Sequence, residues 1–181
     1  MKAMVLQARR PNESAPRPYD NELVPAAPGV AVAKGVEWKA YEGDYPWVPD
    51  LATLHPVASG VADRPDLSQR PRDNDIGMLF TGYLSVPQDG DYTFYLEADT
   101  GGLLRIHDAT VIDADFGYPG GKEVSGSIRL RAGLHPFRLY YARRNKGTPS
   151  LELAWSGPQI AKTAIPAEVF RHYPLHPTSG A

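Results

Sequence analysis

From Val36 onward, apolar residues recur at every second position, the period of a strand with one buried and one solvated face. Val36, Trp38 and Ala40 alternate with Glu37, Lys39 and Tyr41. The pattern is clearest from Ile76 to Val86, where Ile76, Met78, Phe80, Gly82, Leu84 and Val86 fall on one face. Pro87-Gln88-Asp89-Gly90 ends that run with turn residues. Tyr92, Phe94, Leu96 and Ala98 mark the next strand, closed by Asp99-Thr100-Gly101-Gly102. Leu104 and Ile106 begin another. His107-Asp108-Ala109-Thr110 predicts a tight hairpin leading to Val111 and Ile112, without the Gly that such turns favour. Val124, Gly126, Ile128 and Leu130 alternate again, and Arg131-Ala132-Gly133 turns the chain into Phe137, Leu139 and Tyr141. Leu151, Leu153 and Trp155 form the last predicted strand.

Other stretches carry no period. Residues 1–34 hold prolines at 11, 16, 18, 25 and 28 and read as a linker or an arm lying on something. A Pro-rich stretch over 43–74 crosses the domain, and residues 174–181 read as a flexible tail. The one helical candidate is Pro166 to Phe170, where Pro suits a first turn. Short strands at close spacing with almost no helical period predict an all-β sandwich or barrel, one domain over 35–173.

Composition narrows the function. The 181 residues are 42% hydrophobic and 22% charged with net charge -2, the profile of a soluble globular domain. Lys and Arg are scattered, with only Arg143, Arg144 and Lys146 locally basic, so no nucleic-acid partner is expected. The absence of cysteine excludes disulfides, zinc-thiolate sites and cysteine nucleophiles. No apolar run reaches membrane-spanning length, and the start MKAMVLQARRP lacks the apolar core of a signal peptide. An export signal, if one is used, lies elsewhere; a piece excised from a longer chain and a complete cytoplasmic protein both have this pattern.

No enzyme motif is present. His55, His107, His135, His172 and His176 show no metalloprotease spacing, and their expected places are solvent-facing or at strand ends. A G-x-S-x-G elbow is missing, and Gly120-Gly121-Lys122 lacks the upstream glycine of a phosphate loop. Trp38 and Trp155 lie on apolar strand faces, which leaves Trp47 as the tryptophan expected to be exposed.

The runs LFTGYLSVPQDGDYTFYLEADTGGLLRIHDATVID and SIRLRAGLHPFRLYYARRNKGTPSLELAWSGP, followed by IPAEVF, resemble the protective-antigen fourteen-kilodalton domain family over about Gly35 to Tyr173. Phe80-x-Gly82, Gly90-x-Tyr92-x-Phe94, Leu130-x-Ala132-Gly133 and Leu153-x-Trp155 carry the likeness in combination. The resemblance implies a jelly-roll-like antiparallel β-sandwich behind a Pro-rich N-terminal arm. It also implies an accessory module that binds carbohydrate in bacterial polysaccharide-processing enzymes. In the sugar-binding fungal adhesins of that family, two consecutive aspartates and a later Asn hold a calcium ion that meets the sugar hydroxyls. Their positions here fall on Asp99, Thr100 and Asn145, which become the candidate carbohydrate-binding residues, with Asp99 and Asn145 the candidate metal ligands. Thr100 departs from the pattern: calcium takes six to eight oxygen ligands with carboxylates supplying charge, so a hydroxyl there weakens the site. No cofactor is therefore expected.

Asp99 has a simpler alternative role, shaping its own turn, and Asp113 and Asp115 are expected to be solvated after the hairpin. The function expected is a non-catalytic carbohydrate-binding accessory module of a larger secreted bacterial hydrolase, extracellular or periplasmic. Its partners would be a glycan and the other domains of that parent, with no membrane. The alternative is a structural spacer or domain-docking module that binds no sugar.

Overall fold

The computed structural model describes residues 23–26, 32–45, 47–107, 109–115, 118–143 and 148–172. They form twelve strands: β1 (Ala33–Lys34), β2 (Val36–Glu42), β3 (Ala58–Ala62), β4 (Ile76–Val86), β5 (Gly90–Ala98), β6 (Gly101–Ile106), β7 (Ala109–Ala114), β8 (Val124–Leu130), β9 (Gly133–Ala142), β10 (Leu151–Gly157), β11 (Ile160–Ala164) and β12 (Phe170–His172). Short 3-10 turns occupy Leu51–Thr53 and Ala167–Val169, the second directly after Pro166, and no α-helix occurs among the described residues.

The strands build two antiparallel sheets. The larger has eight strands in the order β1-β12-β4-β9-β6-β7, with β2 and β3 added beside β4. The smaller runs β11-β10-β5-β8. Strand β4 pairs with β9 from Gly77 to Val86, while its other edge is divided between β2 and β12. Most turns read from the sequence carry the chain from one sheet to the other. Pro87-Gln88-Asp89 leaves β4 in the larger sheet and enters β5 in the smaller. The β6–β7 hairpin stays within its sheet, with Ile106 facing Ala109. His107 takes φ 54°, a left-handed conformation that His tolerates better than β-branched residues.

The core fills the space between the sheets along the predicted alternation. Ile76, Met78, Phe80, Leu84 and Val86 of β4 meet Tyr92, Phe94 and Leu96 of β5, together with Trp38 and Trp155. Trp155 packs its ring 5.4 Å from Tyr92 and 6.1 Å from Phe94, centroid to centroid. The Pro-rich crossover does two things its sequence did not announce. It carries edge strand β3, whose small residues show no alternation; there Gly60 lets the Trp38 indole lie so close that a Cβ would come within 2.9 Å of it. It also covers a second apolar cluster on the outer face of the larger sheet, built from Tyr41, Val48, Leu51, Leu79, Leu103 and Tyr140. Burial, then the neighbouring Tyr45 and Tyr140, push the Tyr41 hydroxyl up to about 12.

The two ends of the sandwich meet: Ala33 of β1 faces His172 of β12. Within the Pro-rich arm, Val24 donates its N–H to Arg129 O (2.8 Å) and accepts from Arg131 N (3.0 Å), forming a parallel bridge to Leu130.

Candidate functional site

Strands β5, β6 and β9 bring the Asp99 region to one end of the sandwich, where the loops after β5, before β8 and after β9 converge. Asp99 and Thr100 are 9% and 4% exposed. The Asp99 Oδ1 accepts from Tyr141 Oη (2.5 Å) and Ser150 N (2.9 Å), and Oδ2 accepts from Arg143 Nη1 (2.6 Å) and Thr100 Oγ1 (3.1 Å). The Thr100 hydroxyl, with one proton to give, has a second acceptor in Ala142 O at 3.0 Å. Arg143 is 5% exposed and donates its Nε to Asp73 O at 2.6 Å. Burial first, and then the hydrogen bond to Asp99, raise the Tyr141 pKa far above the ordinary phenol value, so Tyr141 stays a donor.

This geometry has a chemical consequence. A carboxylate offers about four lone-pair positions; Tyr141, Ser150 and Arg143 donate to three on Asp99, and the Thr100 hydroxyl, which Ala142 O also faces, stands beside Oδ2. A calcium ion needs bare carboxylate oxygen at roughly 2.3–2.6 Å, the distance at which the Arg143 guanidinium already stands. Asp99, Thr100 and Arg143 do not fit a metal, and among the described residues no group of three His, Asp or Glu side chains is placed to hold one. Asn145 lies outside the described residues, as do Arg144 and Lys146.

Neighbouring loops are pinned as firmly. Gly121 N donates to Ala98 O at 2.8 Å, and Gly120, at φ 86°, passes so close that a Cβ would fall 2.1 Å from Asp99 O. Tyr118 Oη takes N–H groups from Ala98 (3.2 Å) and Lys122 (3.1 Å) and gives its proton to Lys122 O. Asp115, 2% exposed, accepts from Val48 N with both oxygens at 3.1 and 3.0 Å and ties the Pro-rich crossover to the sandwich. Asp113 is exposed as expected, whereas Asp115 is buried because the crossover folds over it. Trp38 and Trp155 are core residues and Trp47 is half-buried.

Sequence reasoning missed two groupings. His135 is fully buried, not solvent-facing. Its Nε2 lies 2.7 Å from Arg131 O and its Nδ1 2.8 Å from His107 Nε2. The carbonyl can only accept, which makes His135 Nε2 the donor there and assigns the shared proton to His107. The second grouping is a groove of about 500 Å³ along the smaller sheet, lined by Tyr95, Glu97, Glu152, Leu153, Lys162 and Ile165 among others. Its polar positions alternate with core positions in β5 and β10, so no local motif marks it.

Two antiparallel sheets packed face to face around the main core define a β-sandwich domain of the jelly-roll kind. The PA14 domain profile matches residues 33–168, and the chain belongs to the PA14 domain family. No curated protein matches it. Among solved structures it is similar to an anti-sigma factor domain-containing protein from Clostridium clariflavum, 25% identical with TM-score 0.62, over 83% of this chain and 53% of that one. It thus spans about half the length of that relative. It is also similar to the PA14 sugar-binding domain from an RTX adhesin, 18% identical with TM-score 0.64, over 77% of this chain and 99% of that one. A β-glucosidase from Kluyveromyces marxianus matches at 20% identity and TM-score 0.53, over 67% of this chain and 16% of the enzyme.

Proposed function

We propose that this chain is a non-catalytic carbohydrate-binding module of a larger exported protein, and that it binds without calcium. The observation that carries the reading is the buried Asp99–Arg143 pair at 2.6 Å. It supplies, from within the chain, the positive charge that holds the loop end in shape, so the rim needs no ion to be ordered. Asp99 and Thr100 then act as positioning residues, and Asn145, with one donor group and one acceptor, is the side chain suited to vicinal hydroxyls. The PA14 sugar-binding domain of the RTX adhesin, which has the same fold, supports the ligand class. The β-glucosidase, in which the matching part is a small share, supports an accessory place in a hydrolase. The meeting of β1 and β12 suits a unit carried within a longer chain.

A glycan array run with calcium and again with a chelator tests this. The same glycans should bind in both, and Asn145→Ala should weaken them. Binding that needs calcium, or a rise of many degrees in melting temperature on adding it, would overturn the calcium-independent mode. Failure to bind any glycan in either condition would favour the spacer or docking role.

A further inference from the structure

Where the Pro-rich crossover lies on the outer face of the larger sheet, a set of polar groups is left unmet. Tyr41 and Tyr140 belong to the second apolar cluster, and Tyr45 packs against it. Tyr140 is fully buried, yet its hydroxyl has no hydrogen-bond partner. The hydroxyls of Tyr41 and Tyr45 have none among the described residues either. Asp50 stands at the start of the Leu51–Thr53 turn, half-buried, and its carboxylate makes no capping bond there and no other among the described residues. These groups lie near enough to act on one another: burial first, then Tyr45, Tyr140 and Asp50, oppose ionisation of Tyr41. Buried polar groups are nearly always met by protein, water or ligand, so what meets this set comes from outside the described chain.

Trp47 stands on the same segment. It is half-buried, but its indole packs on neither apolar cluster. Its backbone is nonetheless fixed, because Val48 is fully buried and donates its N–H to both oxygens of Asp115. The Tyr45 ring is fixed as well, lying so close to Gly43 that a Cβ there would come within 2.8 Å of it. Two aromatic side chains are thus mounted firmly and left half open. Their place is the loop end: Ala114, just before Asp115, faces Gly102, which faces Tyr141 on β9, and the loop that carries Asn145 leaves from the end of β9.

We propose that the crossover forms a second wall of the carbohydrate site, a subsite for a neutral sugar ring with equatorial substituents, as in β-linked glucose oligomers. Such a ring keeps its C–H groups on its two faces and its hydroxyls around its rim. Trp47 and Tyr45 receive the C–H face. The Tyr41 and Tyr45 hydroxyls and the Asp50 carboxylate bond the rim hydroxyls, and Tyr140, one layer deeper, is reached through water. The sugar class rests on the carbohydrate reading above; the place of binding stands on the crossover alone.

The test is titration of the whole chain with cellotetraose, read by calorimetry and by tryptophan emission, beside sorbitol and an oligogalacturonate of equal length. Trp38 and Trp155 are only 8% and 2% exposed, so a change in emission or in iodide quenching reports Trp47. Cellotetraose should shift the emission and shield it from iodide, whereas sorbitol, with hydroxyls but no ring face, should do neither. Trp47→Ala should weaken cellotetraose by about tenfold or more, and Tyr45→Phe and Asp50→Asn by about threefold each, with melting temperatures kept. No binding of cellotetraose, binding that leaves the emission unchanged, sorbitol acting equally, or wild-type affinity in Trp47→Ala overturns the subsite. Oligogalacturonate binding as tightly as cellotetraose overturns the role given to Asp50. If cellotetraose fails while glycans on the array bind and depend on Asn145, only this subsite falls; an array blank with and without calcium takes the carbohydrate reading with it.

Discussion

Charge is treated in opposite ways at two places in this sandwich. At the loop end, Asp99 and Arg143 have side chains 4% and 5% exposed and stand 2.6 Å apart, with Tyr141 and Ser150 also donating to the carboxylate. On the smaller sheet, half-buried Glu97 and exposed Glu152 face each other, with no hydrogen bond or ion pair among the described residues. Desolvation explains the difference. A charge taken out of water must be paired and hydrogen-bonded or its burial costs several kcal/mol, whereas solvated carboxylates tolerate a like neighbour at a few tenths. The buried pair is therefore architecture, and the glutamate pair is held near solvent, which screens its repulsion.

The sharpest way to break this contrast is Arg143→Ala, which strands the Asp99 carboxylate in the interior. It should cost about 3–5 kcal/mol, read as a shift of the denaturant midpoint at constant slope. Phe94→Ala, which empties a fully buried site of the main core, should cost about 3–5 kcal/mol as well and serves as the yardstick. A loss under about 1 kcal/mol for Arg143→Ala would mean that water reaches the pair.

His135 is an intermediate case, buried yet titratable. Burial lowers its pKa, with the hydrogen bond to Arg131 O opposing. Above its unfolded value of about 6.5 it is neutral in both states and its contribution to stability is complete. As pH falls below that value, the unfolded chain takes a proton the folded one resists, so stability should drop by at most about 1.4 kcal/mol per pH unit. Melting curves from pH 7.5 to 5 should show the decline, and His135→Gln should flatten it; an identical slope in the variant would assign the decline elsewhere.

The smallest effect belongs to the exposed pair. Glu152→Gln should raise stability by about 0.2–1 kcal/mol at low salt, with the gain fading as salt is added. A destabilising Glu152→Gln would show that the carboxylate has a structural partner after all.

How much was legible beforehand follows from which interactions are local. The strands over Ile76–Val86 and Tyr92–Ala98 were readable because burial on one face prints a period of two on the chain, and Trp38 and Trp155 could be placed in the core on the same ground. Strand β3 left no such print, because its edge position and its small residues need no apolar face. Asp99 was visible as a special position, but the partner that decides its role, Arg143, is 44 residues away. Beforehand, Arg143 read only as part of a basic cluster. The His107–His135 contact joins residues 28 apart, and the Glu97–Glu152 pair depends on the β5–β10 register.

The sequence by itself determined the positions of the strands with an alternating face, the all-β class and the family likeness, since alternation and turn residues act over a few positions. Tertiary structure alone decided which turns change sheets, that the Pro-rich crossover would seal a second apolar cluster, and that Asp99 would be neutralised by an arginine. Those outcomes depend on distance through space. Whether a charge is buried, paired or left facing its like is settled only when strands far apart in the chain come into register.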